Sequence, residues 1–331
     1  MRAVEVVRLG AAPWEAALAP SEPSAAANGG LVSAARMLAS RLYGQFAEPA
    51  RPLPKRAAPV FCVGSTTLGG GGKTPFSLAL ARALSTPSRP VALVTHRYRA
   101  LATGGRSSPL SDDERYLRGR WDYVYAAPTR VAAFAAVPPE MPIVVDGPLS
   151  RATSGGASLL LHDGTTPIPP HTPPAGPPRA TLERLYAAAD HRLFWGPSEH
   201  RPPGFGGVPI EFHLEGLEAL AALPDDAPRI LVTALARPER VVAPLAAAGV
   251  RIDVHLQLPD HGLGDNGNRP VFQAVSALLA RYPGAVFVAS NKCMLHLPVD
   301  ADDSIFGRPL HRIDRVLVPP SALLSHLRRA V

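Results

Sequence analysis

Residues 64–75 read GSTTLGGGGKTP, a glycine run that closes on a lysine and a hydroxyl side chain. In such a run successive backbone N–H groups curl around a phosphate. The lysine then reaches the β- and γ-phosphates, and the hydroxyl binds Mg2+. Measured back from Gly72, Lys73 and Thr74, the general pattern asks for glycine at position 67, where this chain has Thr67. Gly69, Gly70, Gly71 and Gly72 still allow the tight curl. An apolar segment before the run and a helical one after it are the context a phosphate loop needs, so we read the stretch as a nucleotide site rather than a flexible turn.

Other residues of catalytic type are scattered along the chain. Asp113 and Glu114 lie in SDDERYL, and Asp146 ends PIVVDG. Asp260 and His261 lie in LPDHGLGD, with Arg130 in APTRVAA and Lys292 in ASNKCML. Each has an ordinary alternative. Acids in a first helical turn complement the helix dipole, a strand-end aspartate can shape a turn, and Asp-His before glycine can be plain loop. Arg237 and Arg240 in ARPER read as a helix start and its surface.

These residues must be positioned by regular elements. Short apolar strands are predicted at 58–64, 90–96, 123–127, 142–147 and 157–163, with helices at 75–85 and 111–121, the latter with Ser111 as N-cap. Strand–helix alternation of this kind predicts an α/β fold: a parallel sheet flanked by helices, P-loop NTPase-like, with Gly64, His96 and Asp146 emerging at the carboxyl ends of strands. Residues 164–180 are proline-rich and predict a loop. Near residue 200 the pattern restarts, with strands at 229–235, 251–258 and 285–290 and helices at 238–249 and 269–282. The expected organisation is a poorly ordered tail over 1–30, a P-loop domain over 31–200, and a second, smaller α/β domain over 201–331 that closes the cleft. No internal repeat is evident.

With 331 residues the chain can bury two cores. Its net charge of +7 suits an anionic partner, but it is dispersed without a block of like charge, which disfavours nucleic acid. Of 34 basic residues only Lys55, Lys73 and Lys292 are lysines, a usage that points to places where a compact point charge is needed. Cys62 and Cys293 are far apart and show no metal spacing, as expected of buried reduced thiols in a cytosolic protein. No signal peptide or transmembrane segment is predicted. In residues 31–46 the side chains of Leu31, Ala35, Leu38, Leu42 and Phe46 fall on one helical face, which either packs on the domain or rests on an anionic membrane surface.

Taken in order, the motifs resemble those of the tetraacyldisaccharide 4′-kinases of lipid A biosynthesis. VGSTTLGGGGKTP is similar to that family's V-G-N-x-T-x-G-G-T-G-K-T-P, which itself carries threonine where the generic loop has its first glycine. VALVTHRYRA resembles the strand ending S-R-G-Y-G-G, SDDERYL resembles G-D-E-x-x-L, and IVVDGPLS resembles D-D-G-L-Q-H. PPAGPPRA, ALARPERVVAPLAAAGV, LPDHGLGD and VFVASNKCMLHL follow in the family's order, so the likeness spans about residues 35–325.

The resemblance implies transfer of the ATP γ-phosphoryl to the 4′-hydroxyl of a tetraacyl glucosamine disaccharide 1-phosphate, with Mg2+, at the cytoplasmic face of the bacterial inner membrane. It implies that Lys73 binds phosphates, Thr74 and Asp146 bind the metal with help from Glu114, and Asp113 is the base. It also implies that His261 pairs with Asp113 across a domain cleft, that Thr67 and the loop glycines cradle phosphate, and that Arg179 and Arg130 neutralise phosphate charge. Lys292 matches a family lysine to which no role is assigned. Departures from the pattern are Ser65 for asparagine, Gly71 for threonine, Val145 for the first acid of the pair, and the arginines of THRYRA for glycines. The loop changes leave the lysine, the hydroxyl and the backbone cradle in place, whereas the altered THRYRA and DGPLS segments motivate a rival reading as a kinase of another lipid or sugar alcohol; a further rival is a catalytically impaired nucleotide-binding homologue.

Overall fold

The computed structural model describes residues 4–9, 29–47, 50–67, 71–97, 110–151, 155–165, 172, 178, 180–235, 237–259, 268–297, 299 and 304–331. The chain divides into two compact units. One comprises residues 14–98, 117–212 and 317–331, and the other residues 1–13, 99–116 and 213–316.

The first unit is built on a parallel sheet. In chain order its main strands are β2 (Val60–Ser65), β3 (Ala92–His96), β4 (Val124–Ala127), β5 (Ile143–Asp146), β6 (Ala157–Asp163) and β7 (His191–Trp195). They lie side by side as β7–β6–β2–β5–β3–β4, and Val208–Pro209 extends the β7 edge. All described pairings are parallel. β2 is central and all six of its residues are buried, which is why it reads as a continuous apolar run rather than an alternation. Val60, Cys62, Val94 and Val145 pack on Phe134 at one face, and Leu160 and Phe194 on Leu185 and Phe205 at the other end of the sheet.

Register explains where the functional residues emerge. Val63 lies opposite Asp146, so Gly64 and Ser65 extend past the end of β5 and lead into the glycine run. The helix α2 (Lys73–Leu84) starts directly after it. An earlier helix, α1 (Gly29–Phe46), also belongs to this unit.

The second unit holds a sheet in the order β1 (Glu5–Arg8), β10 (Val254–Leu258), β9 (Arg229–Ala234), β11 (Val286–Ser290), β12 (Arg308–Val318), β8 (Glu211–Glu215). Its core gathers Ile230, Val232, Leu256, Phe287 and Val275. The helix α3 (Asp112–Arg118) starts inside this unit, although the strands before and after it in sequence belong to the first.

Two expectations are corrected here. Residues 5–8, assigned to a poorly ordered tail, form an edge strand parallel to β10, with Val6 opposite His255. Four residues amid Ala/Pro/Ser/Gly-rich sequence are too few to show as a strand. Arg281 and Tyr282 also hydrogen-bond Glu5, at 2.6 and 3.0 Å. The domain boundaries differ as well, because residues 99–116 join the unit of 213–316 while 317–331 return to the phosphate-loop unit. That return is anchored by Leu323 and Leu327, both buried, and by Arg328, which donates to the Ala83 carbonyl at 2.9 Å.

Candidate functional site

In the phosphate-loop unit, Gly72 is the turning point. Its φ of +69° is left-handed, and a Cβ there would lie 2.6 Å from the Trp195 indole, so glycine is required twice over. The Phe76 N–H then donates to the Gly72 carbonyl at 3.2 Å and the helix proceeds. This places Lys73 and Thr74 in the first turn, where backbone N–H groups have no intrahelical partner and favour an anion.

Lys73 Nζ donates to Ser65 Oγ at 3.3 Å, and Ser65 Oγ–H donates to the Thr67 carbonyl at 2.9 Å. Thr67 is buried and forms an isolated antiparallel bridge with Pro178. The departures Ser65 and Gly71 face each other: a Cβ on Gly71 would sit 2.2 Å from the Ser65 Cβ. Gly69, Gly70, Arg179 and His261 lie outside the described residues.

Thr74 Oγ1–H donates to Asp146 Oδ2 at 2.8 Å. A hydroxyl and a carboxylate side by side are hard oxygen donors, of the kind Mg2+ takes one or two of while completing its shell with phosphate and water. The residues present therefore fit a Mg2+–nucleotide. Asp146 is buried, and the Arg130 Nε–H donates to its backbone carbonyl at 3.3 Å. His96, at the end of the neighbouring strand, has its pKa lowered chiefly by burial, with the Arg130 charge adding to it and a hydrogen bond at Pro128 opposing. Val145, where the family pattern has another acid, is buried in the apolar cluster with Val60, Val94 and Phe134, so a carboxylate there would lose its water.

In the second unit, Ser111 caps α3 as expected: the Glu114 N–H donates to Ser111 Oγ at 3.3 Å. Glu114 is fully buried. Asp113 Oδ1 lies 2.9 Å from Lys292 Nζ, and Asp112 Oδ2 lies 3.4 Å from His296 Nε2. The role of Lys292 was not legible in the sequence. The chain's sparing use of lysine and the match to a family lysine were the signals that singled it out.

Arg240, read from sequence as a surface residue, is instead buried, and Arg237 pairs with Glu239 at 3.5 Å. Cys62 and Cys293 are buried free thiols, both with pKa raised by burial, that of Cys62 to about 12.

The family model described as tetraacyldisaccharide-1-P 4′-kinase matches residues 31–263. A tetraacyldisaccharide 4′-kinase of Methylorubrum extorquens is 31% identical over 295 residues, covering 82% of this chain and 88% of its own. That of Methylobacterium nodulans is 31% identical over 316 residues, covering 88% and 90%. A solved structure of LpxK from Aquifex aeolicus in complex with ATP superposes with a TM-score of 0.56 at 16% identity, over 90% of this chain and 99% of that one, which supports the fold. On the family match and these relatives, the chain belongs to the tetraacyldisaccharide-1-P 4′-kinase family.

Proposed function

We propose that the chain transfers the γ-phosphoryl group of ATP to the 4′-hydroxyl of a tetraacyl glucosamine disaccharide 1-phosphate. The observation that carries the reading is the loop ending in Lys73 and Thr74 at the carboxyl end of a central parallel strand, with the Thr74 hydroxyl on Asp146, in a chain of this family.

In this reading Lys73 neutralises the β- and γ-phosphates, and the N–H groups of the loop orient them. Thr74 and Asp146 hold Mg2+, with Glu114 assisting; when bound, the ion offsets charge on the transferring group. Asp113 takes the proton of the acceptor hydroxyl, His261 tunes it, and Arg130 and Arg179 bind phosphate charge.

The acceptor carries acyl chains, which leads to α1. Its face with small side chains docks on the unit. Ser40 is buried, donating to the Thr172 carbonyl at 2.7 Å, and the Gly44 carbonyl accepts from Arg184 at 2.8 Å. The apolar row points the other way: Leu38, Leu42 and Phe46 are 60%, 49% and 82% exposed, with Tyr43 beside them at 43%. Such a face, carrying the exposed Arg41 on a chain of net charge +7, suits an anionic lipid surface, here the cytoplasmic leaflet of the inner membrane. No helix among the described residues is long and apolar enough to cross a membrane.

The test is Mg-ATP-dependent phosphorylation of detergent-dispersed tetraacyl disaccharide 1-phosphate by the purified chain, with Lys73→Ala as the control. Folded protein that binds ATP and leaves this acceptor untouched would contradict the reading.

A further inference from the structure

We infer that Lys292 is a positioning residue for the reaction: it fixes the carboxylate of Asp113. The inference rests on the reading of Asp113 as the base.

Asp112, Asp113 and Glu114 occupy the first turn of α3. Left to the helix alone, such acids favour the dipole from several rotamers. Here two of them are met by outside partners from one short turn, α4 (Asn291–Met294), and the residues just after it. Lys292 Nζ lies 2.9 Å from Asp113 Oδ1, and His296 Nε2 lies 3.4 Å from Asp112 Oδ2, with the two partners spaced about one helical turn apart. The Lys292 and Asp113 side chains are 23% and 26% exposed, shielded enough for a charge pair to hold a fixed geometry better than a surface pair does.

The turn that presents Lys292 is itself fixed from below. Ser290 Oγ accepts the Cys293 N–H at 3.2 Å and caps the turn. Cys293 is fully buried and its sulfur accepts the Ala234 N–H at 3.3 Å. Asn291 donates to Asp314 through its backbone N–H at 3.2 Å and also through its side-chain amide. Asn291 and Cys293 stand where the family pattern T-E-K-D has its acids, so the departures around Lys292 supply contacts that anchor it. An ammonium grips one carboxylate oxygen as a point charge, whereas a guanidinium tends to take both. That difference suits a carboxylate that must be aimed at a hydroxyl, and it accords with lysine appearing at only three positions among 34 basic residues.

The experiment compares the full-length wild type with Lys292→Met, Lys292→Arg, Asp113→Asn and the double variant Lys292→Met/Asp113→Asn. Each is assayed for kcat and KM on tetraacyl disaccharide 1-phosphate with Mg-ATP, per mole of protein that binds ATP. Misplacing a base by about 1 Å costs on the order of 100-fold. Lys292→Met is therefore expected to lower kcat by about 10–100-fold with the KM for ATP unchanged, and Lys292→Arg to recover part of that loss. The double variant should be no slower than Asp113→Asn alone. Wild-type kcat in Lys292→Met beside an inactive Asp113→Asn overturns the positioning role and leaves the base reading intact. Wild-type kcat in Asp113→Asn overturns both. A loss that vanishes when activity is expressed per ATP-binding molecule, or one fully additive with Asp113→Asn, makes Lys292 merely structural and also overturns the proposal.

Discussion

Ser65 and Gly71 are the two positions at which the loop departs from its family's pattern, and they occupy one another's space. A Cβ on Gly71 would come within 2.2 Å of the Ser65 Cβ, a distance that backbone movement alone can relieve. Ser65 in turn is the hydrogen-bond acceptor for Lys73. Gly71→Ala is therefore expected to weaken ATP binding by roughly ten-fold, the price of displacing the lysine that a charged contact of this kind sets. Ser65→Gly in the same chain should recover part of the loss by emptying the space. Calorimetric titration of ATP into the two variants checks this, and a double variant no better than Gly71→Ala would show the two sites to be uncoupled. Sequence alone showed the two departures as separate changes that leave the lysine, the hydroxyl and the backbone cradle in place. Their mutual contact exists only once β2 and the start of α2 are folded against each other.

At the scale of elements, what was legible followed burial. β2, β3, β5 and β6 are runs of buried residues bounded by turns, and the helix after the glycine run was expected within two residues of where it begins. β1 and β12 were not legible. β12 buries Leu310, Ile313, Asp314 and Leu317 without the alternation a half-buried strand shows, and it pairs with β11 over Leu310–Ile313. The apolar stripe of α1 was legible, whereas its outward direction was not, because docking through Ser40 and Gly44 depends on Thr172 and Arg184 far along the chain. If α1 rests on lipid as proposed, the wild type is expected to sediment with anionic phospholipid vesicles, and Leu42→Glu with Phe46→Glu to abolish this with Tm unchanged, both residues being exposed. Retained vesicle binding would place the lipid contact elsewhere.

β10 carries a further testable element. His255 is buried, with Nε2 2.9 Å from Thr233 Oγ1, and Gln257 Nε2 donates to its Nδ1 at 3.1 Å. Burial, aided by the charge of Arg8, brings its pKa down to about 4. A histidine held below its unfolded value of about 6.5 binds its proton preferentially in the unfolded chain, so its contribution is complete above about pH 6.5 and is lost as pH falls toward 4. That loss amounts to at most about 3 kcal/mol. Thermal melts from pH 7.5 to 5.0 should show Tm falling in wild type and a shallower fall in His255→Gln; parallel curves would show that another group sets the slope.

The whole molecule joins two units whose membership does not follow chain order. Asp113 precedes most strands of the phosphate-loop unit in sequence yet belongs to the unit that supplies Lys292. The phosphate-loop motif could be read from sequence because it is contiguous. The partner of Asp113 could not, because an ion pair between distant segments has no local signature. Family membership sets the reaction class, and Lys73, Thr74, Asp113, Glu114 and His261 are retained through many departures from the family pattern. The most direct test is to incubate the purified chain with Mg2+, γ-labelled ATP and tetraacyl disaccharide 1-phosphate, and to locate the label in the product. The account predicts label on the 4′-oxygen, dependent on Mg2+ and absent with Lys73→Ala; ATP binding without transfer to this acceptor would contradict it.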